Sequence, residues 1–76
     1  MDIKIVGYNC SNGIKLKKNI SKINEFEINL ELLEGDEYLD KYNIKNIPGL
    51  IINDKKVSEG KVLNGREILR MIKVLS

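Results

Sequence analysis

Residues 7–13 read Gly7-Tyr8-Asn9-Cys10-Ser11-Asn12-Gly13, and they separate a short apolar run from a lysine-rich segment. The apolar run before them, residues 3–6, predicts a buried strand that ends at Gly7. After them, apolar residues recur at the spacing of a helix: Leu16, Ile20 and Ile23. We therefore predict a helix over residues 13–24, with its start near Cys10 to Asn12, and a strand-to-helix junction in front of it.

Cys10, the one cysteine of the chain, lies at this junction. The first turn of a helix has unpaired backbone N–H groups and the positive end of the helix dipole, and both stabilise a thiolate. The junction therefore predicts a nucleophile, with the backbone N–H groups of Asn12 and Gly13 as hydrogen-bond donors; the alternative is an unreactive small residue in a loop. The side chains of Ser11 and Asn12 are candidates either for the same role or for capping the helix.

The middle of the chain predicts an edge strand followed by a short helix. Residues 26–32 alternate apolar side chains with acidic or amide ones, which is typical of a strand with one buried face. Asp36 is a candidate N-cap for a helix of about two turns that extends to Tyr42. Asn43 suits the left-handed position that follows a helix.

The last third of the chain predicts a hairpin and a capped helix. Residues 50–52 and residues 55–59 read as two short strands joined by an Asn53-Asp54 turn. Asn64 and Glu67 have the spacing of a capping box, in which each side chain accepts the backbone N–H of the other residue. The final helix is therefore expected to begin directly after Asn64.

The predicted order is β-α-β-α-β-β-α, in a single domain that spans residues 1–76. A strand, a helix and a second strand within about thirty residues form a parallel pair with a right-handed crossover, and the hairpin adds antiparallel strands. The fold class is therefore α/β, with a four-stranded mixed sheet and helices on both faces.

The composition excludes several kinds of site. The chain has one cysteine and no histidine, which excludes an internal disulfide, a Cys–His catalytic pair and a cysteine-rich metal site. The N-terminus lacks an apolar signal segment, and no apolar run reaches transmembrane length. We expect a cytoplasmic monomer that binds neither nucleic acid nor membranes and holds no metal or resident cofactor.

The net charge of +2 is unevenly distributed along the chain. Residues 1–24 carry five lysines and one aspartate, residues 25–40 carry seven acids and no base, and residues 41–76 carry eight bases and three acids. We interpret these charges mainly as solvated faces, since no aromatic side chains interleave the bases as in a nucleic-acid site. Four lysines also predict an anion-attracting patch beside the cysteine, which would steer an acidic or glutathione-like partner: Lys15, Lys17, Lys18 and Lys22.

With Cys10 at the strand-to-helix junction and Ile47-Pro48 directly before the hairpin, the sequence resembles the thioredoxin fold. It looks most like the small glutaredoxin-like "redox-active disulfide" proteins, and the resemblance covers essentially the whole chain through the order and spacing of short motifs. That family has a Cys-x-x-Cys site in which the first cysteine is the nucleophile and the second resolves the mixed disulfide. Cys10 matches the first position and Gly13 stands at the second, so this chain cannot form the active-site disulfide.

The resemblance also implies a second half of the site. The family has a cis proline that faces the nucleophile, and Pro48 matches its position. In related folds the residue before this proline, here Ile47, offers backbone groups to an extended peptide or to glutathione. Tyr8, next to the cysteine, is expected either to contact a bound partner or to cover the end of the first strand. The implied site therefore combines the cysteine with six binding residues: Tyr8, Ser11, Asn12, Gly13, Ile47 and Pro48.

The activity that the resemblance implies is thiol–disulfide exchange through a single nucleophilic cysteine, as in a monothiol oxidoreductase. A mixed disulfide at Cys10 would need a second thiol for its release, from glutathione, another protein or another copy. Glutathione is thus a candidate co-substrate, and protein thiols and disulfides are the candidate partners. Two alternatives stay open: a non-catalytic module that binds a peptide or protein between Cys10 and Pro48, and a metal or iron–sulfur centre shared by two copies.

Overall fold

The computed structural model describes residues 1–75, which form a four-stranded mixed sheet and three helices. The elements in chain order are β1 (Asp2–Val6), α1 (Ser11–Ser21), β2 (Asn29–Leu33), α2 (Asp36–Lys41), β3 (Gly49–Ile52), β4 (Lys55–Glu59) and α3 (Gly65–Leu75). The strands lie in the order β2-β1-β3-β4. β1 runs parallel to β2 and antiparallel to β3, and β3 and β4 form an antiparallel hairpin. The predicted element order and α/β class are confirmed.

Two apolar clusters attach the helices to the two faces of the sheet. β3 is buried along its whole length, and the apolar residues of β1 are fully buried beside it, as expected for central strands. α1 and α3 pack on one face, where the main core consists of Ile3, Ile5, Leu16, Ile20, Ile23, Leu50, Ile52, Leu63, Ile68 and Ile72. α2 packs on the other face, against a smaller cluster of Val6, Ile44 and Ile51. Helices on both faces were predicted and are present.

α1 starts within the predicted range, near Cys10 to Asn12, and ends three residues before the predicted end at residue 24. It begins at Ser11 because Cys10 is its N-cap, and it ends at Ser21. The chain tightens there, since the N–H of Ile23 bonds to the carbonyl of Ile20 at 3.1 Å, an i→i−3 bond. Ile23 therefore reaches the core from beyond the end of the helix.

β2 is shorter than the predicted strand over residues 26–32. Its pairing with β1 begins at Asn29, which lies opposite Asp2, because β1 itself begins there. Phe26 and Ile28 lie in the connection before the strand and still pack against the main core. The alternating pattern therefore indicates which side chains are buried. The start of the neighbouring strand, β1, decides where the hydrogen-bonded pairing of β2 begins.

α2 has a different N-cap from the one predicted. Gly35, with a φ of 121°, occupies the cap position, and no side chain makes a capping hydrogen bond. Asp36 is instead the first helical residue, where its carboxylate lies near the positive end of the helix dipole. Asn43 has a φ of 53°, in the left-handed region that the sequence predicted for it.

The C-terminal third matches its prediction closely. Asn53 and Asp54 both have positive φ, 49° and 66°, as in the tight turn of a two-residue hairpin. The Glu67 N–H donates to Asn64 Oδ1 at 2.9 Å, and the Asn64 N–H donates to Glu67 Oε1 at 3.2 Å, so the capping box is formed. None of the helices within residues 1–75 has both the length and the apolar composition needed to cross a membrane.

Candidate functional site

Cys10 is the N-cap residue of α1, and its own sulfur caps the helix. The Cys10 backbone is extended, with φ of −135° and ψ of 167°, and its carbonyl accepts the N–H of Ile14 at 2.9 Å. The Sγ accepts the N–H of Gly13 at 3.3 Å. Cys10 is partly buried. A negative charge on Sγ would therefore be stabilised by a first-turn N–H group and by the helix dipole.

The sulfur has a second contact, on the side of the strand. Cys10 Sγ lies 3.5 Å from the carbonyl oxygen of Gly7, to which the thiol donates. A thiolate has no proton for this contact, whereas its bond from the Gly13 N–H becomes charge-assisted and stronger. The Gly7 carbonyl is thus the partner of the thiol, and the Gly13 N–H is the partner of the thiolate. The thiolate is the nucleophilic form, so the Gly13 N–H favours it.

Ser11 and Asn12 do not cap the helix, which excludes the capping role, one of the two alternatives expected for them. Both side chains are exposed, and within residues 1–75 neither makes a side-chain hydrogen bond. The reason is that the helix begins at Ser11, so Cys10 takes the cap position and Ser11 and Asn12 become the first two helical residues. Their open positions beside the sulfur leave them available for contact with a partner.

Gly13 fits closely against the loop that precedes the helix. A Cβ at this position would collide with the Tyr8 carbonyl oxygen and would lie 2.6 Å from its carbon and 2.7 Å from Tyr8 Cα. Real Cβ contacts are essentially never this short, so a side chain here would require the backbone to move. The sequence predicted Gly13 as a backbone donor to the sulfur and as the position of a missing cysteine, and the steric role of the glycine was not anticipated.

Tyr8 is half-buried and packs against the main core. This packing agrees with one of the two roles expected for Tyr8, that of covering the end of the first strand. The Tyr8 backbone at the same time forms the surface on which Gly13 rests. Contact between Tyr8 and a partner remains a prediction.

The Ile47-Pro48 segment lies beside Gly7, directly before β3. The peptide bond between the two residues is cis. Pro48 is fully buried, whereas Ile47 is 47% exposed, and a Cβ on Gly7 would lie 2.5 Å from Ile47 Cγ2. Gly7 therefore touches both halves of the expected site, since its carbonyl contacts the Cys10 sulfur and its Cα faces the Ile47 side chain.

The surface around the sulfur is open and partly apolar. No enclosed cavity is found in residues 1–75. Ile14, one turn after Cys10, is 55% exposed, and it and Ile47 are two of the three large apolar side chains exposed in this part of the chain. The backbone N–H and carbonyl of Ile47 have no hydrogen-bond partner within residues 1–75. The site is therefore an exposed surface with apolar side chains and unpaired backbone groups, and not a pocket.

Glu59 anchors the chain just before Ile47, and nothing in the sequence pointed to it. Its Oε2 accepts the N–H of Lys45 at 2.7 Å and that of Asn46 at 2.9 Å, and Oε1 accepts from Lys56 Nζ at 3.0 Å. The hydrogen bond from the Asn46 N–H, followed by those from Lys45 and Lys56, lowers the pKa of Glu59 to about 2. The partners are mainly backbone groups, which carry no residue-type signal, so sequence reasoning could not find them.

No cluster of three or more cysteine, aspartate or glutamate side chains that would hold a metal ion occurs within residues 1–75. Cys10 would supply a single ligand from this chain to any shared centre. The geometry around it is that of a helix-capping thiol with one backbone donor, the Gly13 N–H, and one backbone acceptor, the Gly7 carbonyl.

Comparison with known families gives one result. The family model described as "Thioredoxin domain" matches residues 1–73. Neither the curated proteins nor the solved structures give a significant match to the chain. The matched region contains both Cys10 and the Ile47-Pro48 segment.

Proposed function

This chain belongs to the thioredoxin domain family, and on that premise we propose that it carries out thiol–disulfide exchange through Cys10 alone. The observation that carries the proposal is the position of the sulfur. It is the side-chain cap of an 11-residue helix and accepts the Gly13 N–H at 3.3 Å, at the end where the dipole favours negative charge. A partly exposed thiolate in this environment is the nucleophile that exchange requires.

The proposed reaction has two balanced steps at Cys10. The Cys10 thiolate attacks one sulfur of a partner disulfide, the new sulfur–sulfur bond forms, and the other sulfur leaves as a thiolate that takes a proton from solvent. A second thiol, deprotonated in its turn, then attacks the mixed disulfide and releases Cys10 as a thiolate. After these two steps one partner sulfur is a free thiol, and the other is joined by a disulfide to the outside thiol. A second outside thiol then attacks that disulfide and releases the remaining partner thiol, so that overall the partner disulfide gains two electrons and two outside thiols are oxidised to one disulfide.

The second thiol must come from outside because this chain has no other cysteine. Position 13, where the family has its resolving cysteine, is occupied by a glycine that rests on the Tyr8 backbone. Glutathione is the proposed co-substrate, as in glutaredoxin-like proteins, and protein disulfides and thiols are the proposed partners. The proposal assigns the protein to the cytoplasm as a monomer, since a lone thiol of this kind works in a reducing compartment.

The Ile47 backbone is the proposed docking element for the partner. Its unpaired N–H and carbonyl are the groups that an extended peptide uses when it adds beside a strand. The exposed side chains of Ile14 and Ile47 provide apolar contact, and the exposed lysines of α1 favour an acidic partner. Ser11 and Asn12 lie where they would contact the same partner.

The test is an exchange assay with a disulfide-containing peptide, reduced glutathione and a coupled readout of oxidised glutathione. Wild-type protein is expected to accelerate the reaction, and Cys10→Ser is expected to abolish the acceleration while it keeps the fold, since serine is itself a good N-cap. Equal rates for the wild type and Cys10→Ser would refute the proposal.

A non-catalytic binding module is the second candidate, and the unpaired Ile47 backbone favours it because that docking element does not need a thiol. The two functions differ in how a partner is retained. Capture of a partner peptide that survives Cys10→Ser, without any exchange by the wild type, would identify a module. Capture that needs Cys10 and is reversed by a reductant would identify exchange.

A further inference from the structure

The segment that carries Ile47 is held by one carboxylate. Ile44 is tied to α2, because its N–H donates to the Leu39 carbonyl at 2.8 Å, and the Pro48 carbonyl accepts the N–H of Gly60 at 2.9 Å. Between these two points, the backbone of residues 45–47 has a single hydrogen-bond partner within residues 1–75, the side chain of Glu59. Within residues 1–75, the backbone directly before Ile47 is therefore hydrogen-bonded by Glu59 alone.

The Glu59 carboxylate is itself fixed in place. It lies at the end of β4, its side chain is only 26% exposed, and its second oxygen is held by Lys56 Nζ at 3.0 Å. Lys56 Nζ also donates to the Asn43 carbonyl at 2.9 Å. Lys56 and Glu59 together therefore bind the backbone at residue 43 and at residues 45–46. Hydrogen bonds from backbone N–H groups to a carboxylate are charge-assisted and stronger than neutral ones. An edge strand thus sets the shape of the segment before β3.

We propose that Glu59 is a positioning residue that holds the Ile47 backbone in the orientation in which it receives a peptide partner. This inference rests on the proposed function, and it adds a specificity: Glu59 matters for disulfides carried on a peptide chain. A small disulfide without peptide groups meets only the sulfur of Cys10, which has no contact with Glu59. The two substrate classes should therefore respond differently to a change at position 59.

The experiment compares Glu59→Gln with Glu31→Gln, which makes the same change of charge on the exposed face of the opposite edge strand, β2. Exchange is measured with a disulfide-containing peptide and with bis(2-hydroxyethyl) disulfide. Loss of a charge-assisted hydrogen-bond pair predicts a KM for the peptide that is about tenfold higher in Glu59→Gln, with little change in kcat. The rate with the small disulfide and the alkylation rate of Cys10 should remain those of the wild type, and Glu31→Gln should match the wild type throughout.

The outcomes separate this inference from the proposed function. If the wild type exchanges neither substrate, the proposed function fails and this inference with it. If the wild type exchanges both and Glu59→Gln leaves the peptide KM unchanged, or slows both substrates equally, the positioning role alone is overturned.

A second measurement needs no variant, and it decides the matter if Glu59→Gln does not fold. The amide resonances of Lys45, Asn46 and Ile47 in the wild type should stay nearly constant between about pH 7 and about pH 3, because the pKa of Glu59 lies near 2. They should begin to move together below that range. The role assigned to Glu59 would be contradicted if these amide chemical shifts followed an ordinary carboxyl titration, complete above about pH 3. It would also be contradicted if the Ile47 amide did not shift together with those of Lys45 and Asn46.

Discussion

The N-termini of α1 and α3 both have a side chain that accepts a backbone N–H of the first turn, but the two accepting side chains differ. Both helices have 11 residues, and in both the side chain of the N-cap accepts the N–H of the third helical residue. In α3 the acceptor is Asn64 Oδ1, at 2.9 Å, and Glu67 closes the box from the other side. In α1 the acceptor is the sulfur of Cys10, at 3.3 Å, and the third helical residue is Gly13, which has no side chain.

The two termini differ in whether a negative charge in the first turn compensates the positive end of the helix dipole. A carboxylate in the first turn of α3, that of Glu67, compensates the positive end of that helix. The first turn of α1 contains no acid, and its cap is a weak acceptor as a thiol but a strong one as a thiolate. The α1 terminus therefore gives up some capping strength and gains a site where negative charge on the sulfur is favoured. Two experiments test this contrast, and the one with the larger expected effect comes first.

Alanine at the two helical glycines should have opposite effects on stability. At Gly13 the added Cβ meets the Tyr8 backbone, and overpacking of this kind costs roughly 1–3 kcal/mol. At Gly65, the first residue of α3, nothing lies within 4 Å of the added Cβ, so helix propensity alone predicts a gain of up to about 1 kcal/mol. Urea unfolding of Gly13→Ala and Gly65→Ala measures both values. If Gly13→Ala were neutral or stabilising, the Tyr8 backbone would not exclude a side chain at position 13.

A carboxylate in the first turn of α1 should make this terminus resemble that of α3. Asp in place of Asn12 would repel the Cys10 thiolate and compete for the dipole, an effect of about 0.3–1 kcal/mol, or roughly two- to fivefold in rate. The alkylation rate of Cys10 by iodoacetamide at neutral pH should fall by that factor. Arg66→Asp is the control, since it also places an aspartate at the second residue of its helix, with a charge change of two units in place of one. An unchanged rate in Asn12→Asp would mean that the dipole does not govern the reactivity of the thiol.

Much of this molecule follows from its sequence because the features concerned are local. The Asn53-Asp54 turn and the Asn64–Glu67 capping box depend on residues at most three positions apart, and both are present as predicted. The helix at Cys10 was located correctly, but its cap was not, because sulfur is a poorer acceptor than the neighbouring hydroxyl and amide groups. The start of β2 could not be read from its own residues, since pairing with β1 decides it.

The site was only partly accessible from the sequence. Cys10 was identified from its position at the start of a helix, and the Ile47-Pro48 segment through a resemblance to a family, whereas the geometry that surrounds them depends on contacts made by backbone groups. The contact of Gly13 with Tyr8 and the hydrogen bonds from the Lys45 and Asn46 N–H groups to Glu59 are of this kind. A backbone group has the same chemistry in every residue, so such contacts leave no mark in the residue pattern.

The most direct test of the account is the rate at which Cys10 forms a mixed disulfide with oxidised glutathione, measured by mass spectrometry for the native protein and for the same chain in denaturant. If the α1 terminus activates the thiol, the native protein should gain one glutathionyl group faster than the unfolded chain, and reduced glutathione should remove it. A native rate equal to or below the unfolded rate would contradict the claim that this fold makes Cys10 a nucleophile.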